Sequence, residues 1–187
     1  MAEVKILAPF ILYYEGGFAN DPDDLGGPTN KGVTLSTWKA QGYDKDDDGD
    51  IDIDDLRKIS DDDAVNVVLK PNFWDRCKAD KIKSQSVANI IVDWVWGSGG
   101  NGIKGTQRVV GATPDGVFGE LTLKAINKME PRRLFAELKK ARVAYLQKIC
   151  QRRPKNNKFL KGWLRRLNAI NYGSLTYKGT TKYFRDV

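Results

Sequence analysis

Histidine occurs nowhere in the 187 residues. Its absence removes Ser-His-Asp and Cys-His catalysis and every His-ligated zinc site, so any acid–base chemistry falls to carboxylates. Cysteine is nearly as scarce: Cys77 and Cys150 are the only two and lie far apart. They are too few for a disulfide framework or a four-cysteine metal centre and read as free thiols, with one disulfide as the alternative. Long hydrophobic runs are missing as well. The apolar stretch 6–14 falls well short of the roughly twenty residues a membrane helix needs, and Glu15 closes it. It does not read as a signal peptide either, because Glu3 and Lys5 precede it together and no A-x-A site follows. Synthesis in the cytoplasm is expected, with any export route left open.

What is present is enough for a packed interior: 41% of residues are hydrophobic and five are Trp, which argues against disorder. Charge is unevenly divided. Residues 1–75 hold 7 Lys/Arg against 17 Asp/Glu, a net of −10, whereas residues 76–187 hold 24 against 7, a net of +17. A basic C-terminal half is drawn to an anionic polymer, either a bacterial wall or a nucleic acid, and sign alone does not choose. No nucleic-acid-binding motif is present.

Apolar spacing near 3.6 residues dominates, which predicts an all-α protein with at most a small β-hairpin. Val4, Leu7, Ala8, Ile11 and Tyr14 recur at helical spacing, so Glu15 falls at the end of a short helix that Gly16-Gly17 terminates. Pro9 sets that helix to begin near Ala8 or to kink there. A carboxyl carried from an apolar segment into a glycine-rich loop suits a general acid, since apolar surroundings disfavour its ionised form. The plain alternative is a surface Glu at a helix end. Residues 16–32 are loop chemistry, and 35–40 read as a helix capped by Thr34 or Ser36. A capping box at Ser60 and Asp63 opens a helix that Pro71 should stop, followed by Phe73-Trp74 as a core anchor. The run 87–96 predicts a buried helix whose one acid, Asp93, reads as a brace for a neighbouring loop rather than a catalytic group. A long helix is expected over 131–150, with Leu134, Leu138, Ala141, Tyr145 and Ile149 as its apolar stripe. Residues 172–187 receive no assignment.

A second motif lies at 44–55, with Asp at positions 1, 3 and 5, Gly at 6, Ile at 8 and an acid at 12. This is the pattern of an EF-hand-like or dockerin-like calcium loop. The ligands would be Asp44, Asp46, Asp48, the carbonyl of Asp50, Asp52 directly or through water, and Asp55. Asp at position 12, where sensor loops carry a bidentate Glu, favours a structural ion over a switch. The alternative is a solvated acidic loop.

The segment E-G-G-F at 15–18, followed by D-P-x-D-x-G-G-P-T-x-x-G-V-T at 21–34, resembles the opening signature of glycoside hydrolase family 108. That resemblance implies a lysozyme-like muramidase that cuts bacterial peptidoglycan between N-acetylmuramic acid and N-acetylglucosamine. It makes Glu15 the general acid and brings Asp24 and Thr29 forward as partners from the facing loop, with Asp21 close behind. Gly97 stands where the family usually has Asn, so no role is carried over there. Residues 103–127, with Gln107-Arg108 ahead of Asp115-Gly116-Val117-Phe118-Gly119, resemble small peptidoglycan-binding modules, with a second helix capped near Thr122. F-x-x-G-W-x-x-R at 159–166 looks like the family's closing helix, with Trp163 in the core or on a sugar. The expected organisation is a catalytic domain at 1–100, carrying the calcium loop as an insertion, and a helical peptidoglycan-binding region at 101–187 packed on it, in a monomer acting on the cell wall. Family members commonly come from prophages, which suits an endolysin; a secreted effector is the other origin. A calcium-stabilised wall-binding protein without catalysis is the competing function, and nucleic-acid binding leaves both motifs without purpose.

Overall fold

The computed structural model describes residues 1–20 and 27–186. The chain is mostly helical. Helix α1 (Val4–Glu15) leads to a two-stranded hairpin, β1 (Thr29–Asn30) and β2 (Val33–Thr34), and then to α2 (Leu35–Gln41) and α3 (Ile53–Lys58). A short α4 (Asp61–Asp63) continues into wider π-type turns over Ala64–Trp74. Helices α5 (Gln85–Ser98), α6 (Gly100–Val109), α7 (Glu120–Lys128), α8 (Pro131–Arg152) and α9 (Asn157–Asn168) form the body. A three-stranded antiparallel sheet, β3 (Ile170–Asn171), β4 (Ser174–Tyr177) and β5 (Thr180–Tyr183), ends it. None of the described helices is long and apolar enough to cross a membrane.

Local chemistry explains most of these boundaries. Thr34, not Ser36, caps α2 by accepting from the Thr37 amide at 3.2 Å. The Ser60/Asp63 capping box forms as expected. Two prolines do not act as expected. Helix α1 starts at Val4 and contains Pro9, which costs only the bond to the Lys5 carbonyl on an exposed face. Pro71 sits inside the π-type segment, whose last turn closes by an Asp75 amide bond to the Lys70 carbonyl at 2.8 Å. The i→i+5 pattern there carries the chain past Pro71 to Trp74.

The C-terminal sheet goes beyond the single hairpin expected. Lys178 and Gly179, with φ of 52° and 69°, make the tight turn between β4 and β5. The tail then reaches the start of α5, where the Asp186 carboxylate accepts from the Gln85 and Ser86 amides at 2.9 Å each and Ser84 accepts from Val87 at 3.2 Å. These are the orphan donors of a buried helix N-terminus, and an acid there also meets the positive end of the helix dipole.

Two hydrophobic clusters result. The larger takes Leu7, Phe10 and Ile11 from α1, Ile90, Ile91 and Trp94 from α5, Ile103 from α6, Leu134 and Leu138 from α8, and Ile170 and Leu175 from the sheet. The smaller holds Val33, Trp38, Leu56, Ile59, Ala64 and Val68. Phe73 and Trp96 pack against both, with ring centroids 4.6 Å apart, so they mark the seam. Cys77 and Cys150 are both buried and free.

Helices α5 and α6 approach so closely that a Cβ on Gly102 would lie 2.8 Å from the Trp94 carbonyl, whereas one on Gly162 in α9 meets nothing within 4 Å. Gly102→Ala should therefore destabilise by about 1–3 kcal/mol. Gly162→Ala should stabilise by about 0.5–1 kcal/mol through the unfolded chain's lost freedom. Urea unfolding of both variants checks the pair, and a stable Gly102→Ala would contradict the packing.

Candidate active site

Glu15 is the last residue of α1, and the Gly16 amide closes that helix on the Leu12 carbonyl at 3.3 Å. A carboxylate there faces the negative end of a helix dipole, which is unfavourable without a nearby cation. Arg166 of α9 supplies it, with Nη1 donating to Glu15 Oε1 at 2.5 Å, and the Trp96 indole donates to the same oxygen at 2.8 Å. The apolar surroundings expected from the sequence are thus replaced by a guanidinium brought from the far end of the chain. Gly32 packs on the opposite side, where a Cβ would stand 2.7 Å from Glu15 Cγ and 2.6 Å from the Trp96 ring.

The guanidinium is itself held. Arg166 Nε and Nη2 donate to Asp93 Oδ1 at 3.0 and 2.8 Å, while Arg142 Nη1 forms an ion pair with Asp93 Oδ2 at 2.7 Å. The Asp93 side chain is wholly buried and Arg142 nearly so. Asp93 therefore braces two arginines rather than a loop. Burial opposes its ionised form, but the attraction of Arg166 and then Arg142 outweighs that, and its pKa lies below the ordinary 3.8. Burial likewise works against the charge on Arg166, but Asp93 and Glu15 raise its pKa further. With Glu15 ionised, the two arginines and two carboxylates sum to zero charge, so the cluster carries no net buried charge.

This cluster opens onto a cleft of about 610 Å³ at the seam of the two cores. Gly32, Thr34, Thr37 and Gln41 form one wall; Asn72, Phe73 and Trp96 lie beneath; Arg142, Tyr145, Ile149, Trp163 and Arg166 form the other. Trp163, partly buried, packs against the larger core and also lines the cleft. Thr29 lies in β1, its backbone paired with Thr34 and Ala19, and the described lining includes Thr34 and Thr37 but not Thr29. Asp24 and Asp21 lie outside the described residues. Sequence reasoning missed Trp96, Arg142, Arg166, Thr34 and Thr37 as site residues. The only local signal was the arginine in F-x-x-G-W-x-x-R, which reads as one more charge on a basic helix.

The acidic segment 44–55 joins α2 to α3 away from this cleft. Asp44 accepts from the amides of Asp47, Asp48 and Gly49 at 2.6, 3.3 and 2.8 Å, and Gly49 takes φ of 102°. Carboxylate oxygens of Asp44, Asp46 and Asp48 lie within 4.8 Å of one another, and those of Asp50, Asp52 and Asp55 form a second such group. Asp55 is fully buried and accepts from the Lys45 and Asp52 amides at 2.5 and 2.6 Å. Those bonds, Asp52's first, hold it below the usual carboxylate range. Asp50 goes the other way, raised by burial and then by the like charges of Asp48, Asp52 and Asp55. One oxygen of Asp46 pairs with Lys58 at 2.6 Å, and the other is buried with no hydrogen-bond partner among the described residues.

Among the described residues lining the cleft Glu15 is the one acid, and with arginine and tryptophan on one of its oxygens the arrangement is open to carboxylate-dependent hydrolysis. Comparison with known proteins agrees. The family described as glycosyl hydrolase 108 matches residues 8–99, and a predicted peptidoglycan domain matches residues 101–168. Among solved structures, SagA of Brucella abortus is 30% identical, with 87% of each chain covered and a TM-score of 0.68. No curated protein matches the chain. The chain belongs to glycoside hydrolase family 108 and is a glycoside hydrolase of the muramidase type.

Because the pKa of Asp93 is lowered on folding, the stability it contributes is complete above its ordinary value and is lost as pH falls through the folded value. Stability of the parent should decline on acidification below about pH 4 more steeply than that of Asp93→Asn. At pH 7 that variant should be weaker by about 3–5 kcal/mol, because Arg142 loses its charged partner. Urea titrations at neutral and acid pH check this, and equal acid slopes would contradict it.

Proposed function

We propose that the chain is an N-acetylmuramidase that cleaves the β-1,4 bond between N-acetylmuramic acid and N-acetylglucosamine in peptidoglycan, with Glu15 as general acid. The observation that carries this reading is Glu15 itself: a carboxylate held on one oxygen at the seam of a cleft, in a family of glycoside hydrolases. The Glu15 proton passes to the leaving glycosidic oxygen as the C1–O bond breaks and the sugar takes on oxocarbenium character. The carboxylate so formed is the species that Arg166 and Trp96 hold through charge-assisted hydrogen bonds. A water then adds its hydroxide to C1 and returns its proton to the site. Asp24 and Thr29 remain our candidates for stabilising the cation and orienting that water, with Asp21 as the neighbouring acid. The chain acts on the wall, and its basic C-terminal half suits an anionic sacculus. Wall binding without catalysis is the weaker reading, since it leaves the held Glu15 unexplained.

Glu15→Gln keeps the size and polarity of the side chain but delivers no proton. It should lower the release of reducing ends from purified sacculi by about 10²–10⁴-fold while leaving folding and sacculus binding intact. A variant that lyses at a rate near the parent's would move the acid elsewhere, with Asp24 and Asp21 next to test, since Asp93 is buried and paired with two arginines.

We further propose that segment 44–55 holds a structural calcium ion, with Asp44, Asp46, Asp48, the Asp50 carbonyl, Asp52 and Asp55 as its oxygen ligands. Support comes from the two groups of neighbouring carboxylates and the buried oxygen of Asp46 that has no hydrogen-bond partner among the described residues. The ion would neutralise that charge and brace the link between α2 and α3. A hundredfold excess over Kd adds about 2.7 kcal/mol, or about 5–10 °C in melting temperature. Melting of EDTA-treated protein with and without added calcium reads this directly. An unchanged melting temperature, with no calcium found by elemental analysis, would dispose of the ion.

A further inference from the structure

The segment matched as a predicted peptidoglycan domain, residues 101–168, supplies Arg142, Tyr145, Trp163 and Arg166 to the same cleft as Glu15. We propose that this segment is half of the catalytic apparatus, and that its Arg166 is the positioning residue for Glu15. The inference rests on reading Glu15 as the acid.

A Glu side chain at a helix end has three rotatable bonds, and ordering it requires anchors that do not themselves move. Both hydrogen bonds to Glu15 among the described residues fall on Oε1, which leaves Oε2 to meet the substrate. One anchor, Trp96, is built into α5. The other, Arg166, comes from α9 and is tied to α5 by Asp93, one helical turn before Trp96. A single helix therefore sets both anchors, one directly and one through the guanidinium. The planar fork makes this possible: Nε and Nη2 are taken by Asp93 Oδ1, and this fixes the plane in which Nη1 points at Glu15. Arg142 faces the other Asp93 oxygen as an ion pair at 2.7 Å, so each oxygen of the brace meets a cation. Arg166 lines the cleft and keeps 17% of its side chain exposed, whereas Asp93 has none. If α9 were only a wall-binding element, Asp93 alone would satisfy a buried arginine, and nothing would require its remaining donor to reach Glu15.

The test compares full-length Arg166→Lys, Arg166→Ala and Glu15→Gln on soluble, uncrosslinked glycan chains. Lysine keeps the charge but has no fork to serve Asp93 and Glu15 together. Arg166→Lys should lose about 10–100-fold in kcat, with KM within about twofold of the parent, in protein that is fully folded at the assay temperature. Arg166→Ala should lose more and regain part of its kcat in millimolar guanidinium, which a purely structural role would not produce. A kcat within twofold of the parent for Arg166→Lys overturns the inference. So does a loss that follows the melting temperature, or a folded Arg166→Ala that guanidinium leaves unchanged. If Arg166→Ala fails to fold, Arg166→Lys decides alone. An active Glu15→Gln refutes the reading of the acid, whereas an inactive Glu15→Gln beside an unimpaired Arg166→Lys refutes only the role of Arg166.

Discussion

A carboxylate at the C-terminal end of a helix needs a cation, and much of this molecule is arranged around supplying one to Glu15. The cation is Arg166, and a guanidinium largely withdrawn from water needs a second carboxylate, which is Asp93. Asp93 is itself wholly buried, and Arg142 completes its pairing. Each step follows from the cost of burying an unpaired charge, several kcal/mol per ion, which is large against the whole stability of a domain. The series closes when the charges cancel. It also bears on topology, since α8 lies against α5 and α9 against α8, which lets both arginines reach Asp93.

The same requirement accounts for the end of the chain. Helix α5 carries both Asp93 and Trp96, so a frayed α5 would misplace both anchors of Glu15. Its N-terminus is buried, and the tail satisfies it through Asp186 while the Gly173 amide donates to Ser86 Oγ at 2.8 Å. The small C-terminal sheet thus sets an acid over the donors that begin the helix under the cleft. The fold therefore works as one core around α5 with a smaller core leaning on it, and the cleft lies where the two meet.

What could be read in advance was what short-range chemistry decides. The end of α1 at Gly16, the Ser60 capping box, the buried helix around Asp93 and the long α8 all follow from neighbours within a few residues. The identity of Glu15 as the residue of interest followed from the same local pattern and from the resemblance. Its environment did not, because Arg166 lies 151 positions away and is one of many cations on a basic helix. Arg142 was hidden for a related reason: a charge beside an apolar stripe reads as solvated until its partner is known. Pro71 misled because the rule that proline stops a helix assumes α-type bonding. The C-terminal hairpin was signalled by Lys178-Gly179 between short β-prone runs, too brief to outweigh the helical periodicity before it. Thr29 and Thr34 are cross-strand partners in one hairpin, and sequence spacing alone does not say which borders the cleft.

The uneven charge of the chain has a structural meaning beyond attraction to a wall. The acidic half supplies segment 44–55, which joins two helices of the smaller core, and α2 carries Thr37 and Gln41 into one wall of the cleft. The basic half supplies the opposite wall and the cation that holds Glu15. The two walls are therefore secured by different means, one by an acidic loop and the other by a buried network of zero net charge. The two halves still meet at the cleft, because Phe73 and Trp96 pack against both cores and Gly32 of the hairpin packs on the Glu15 side chain that Arg166 holds.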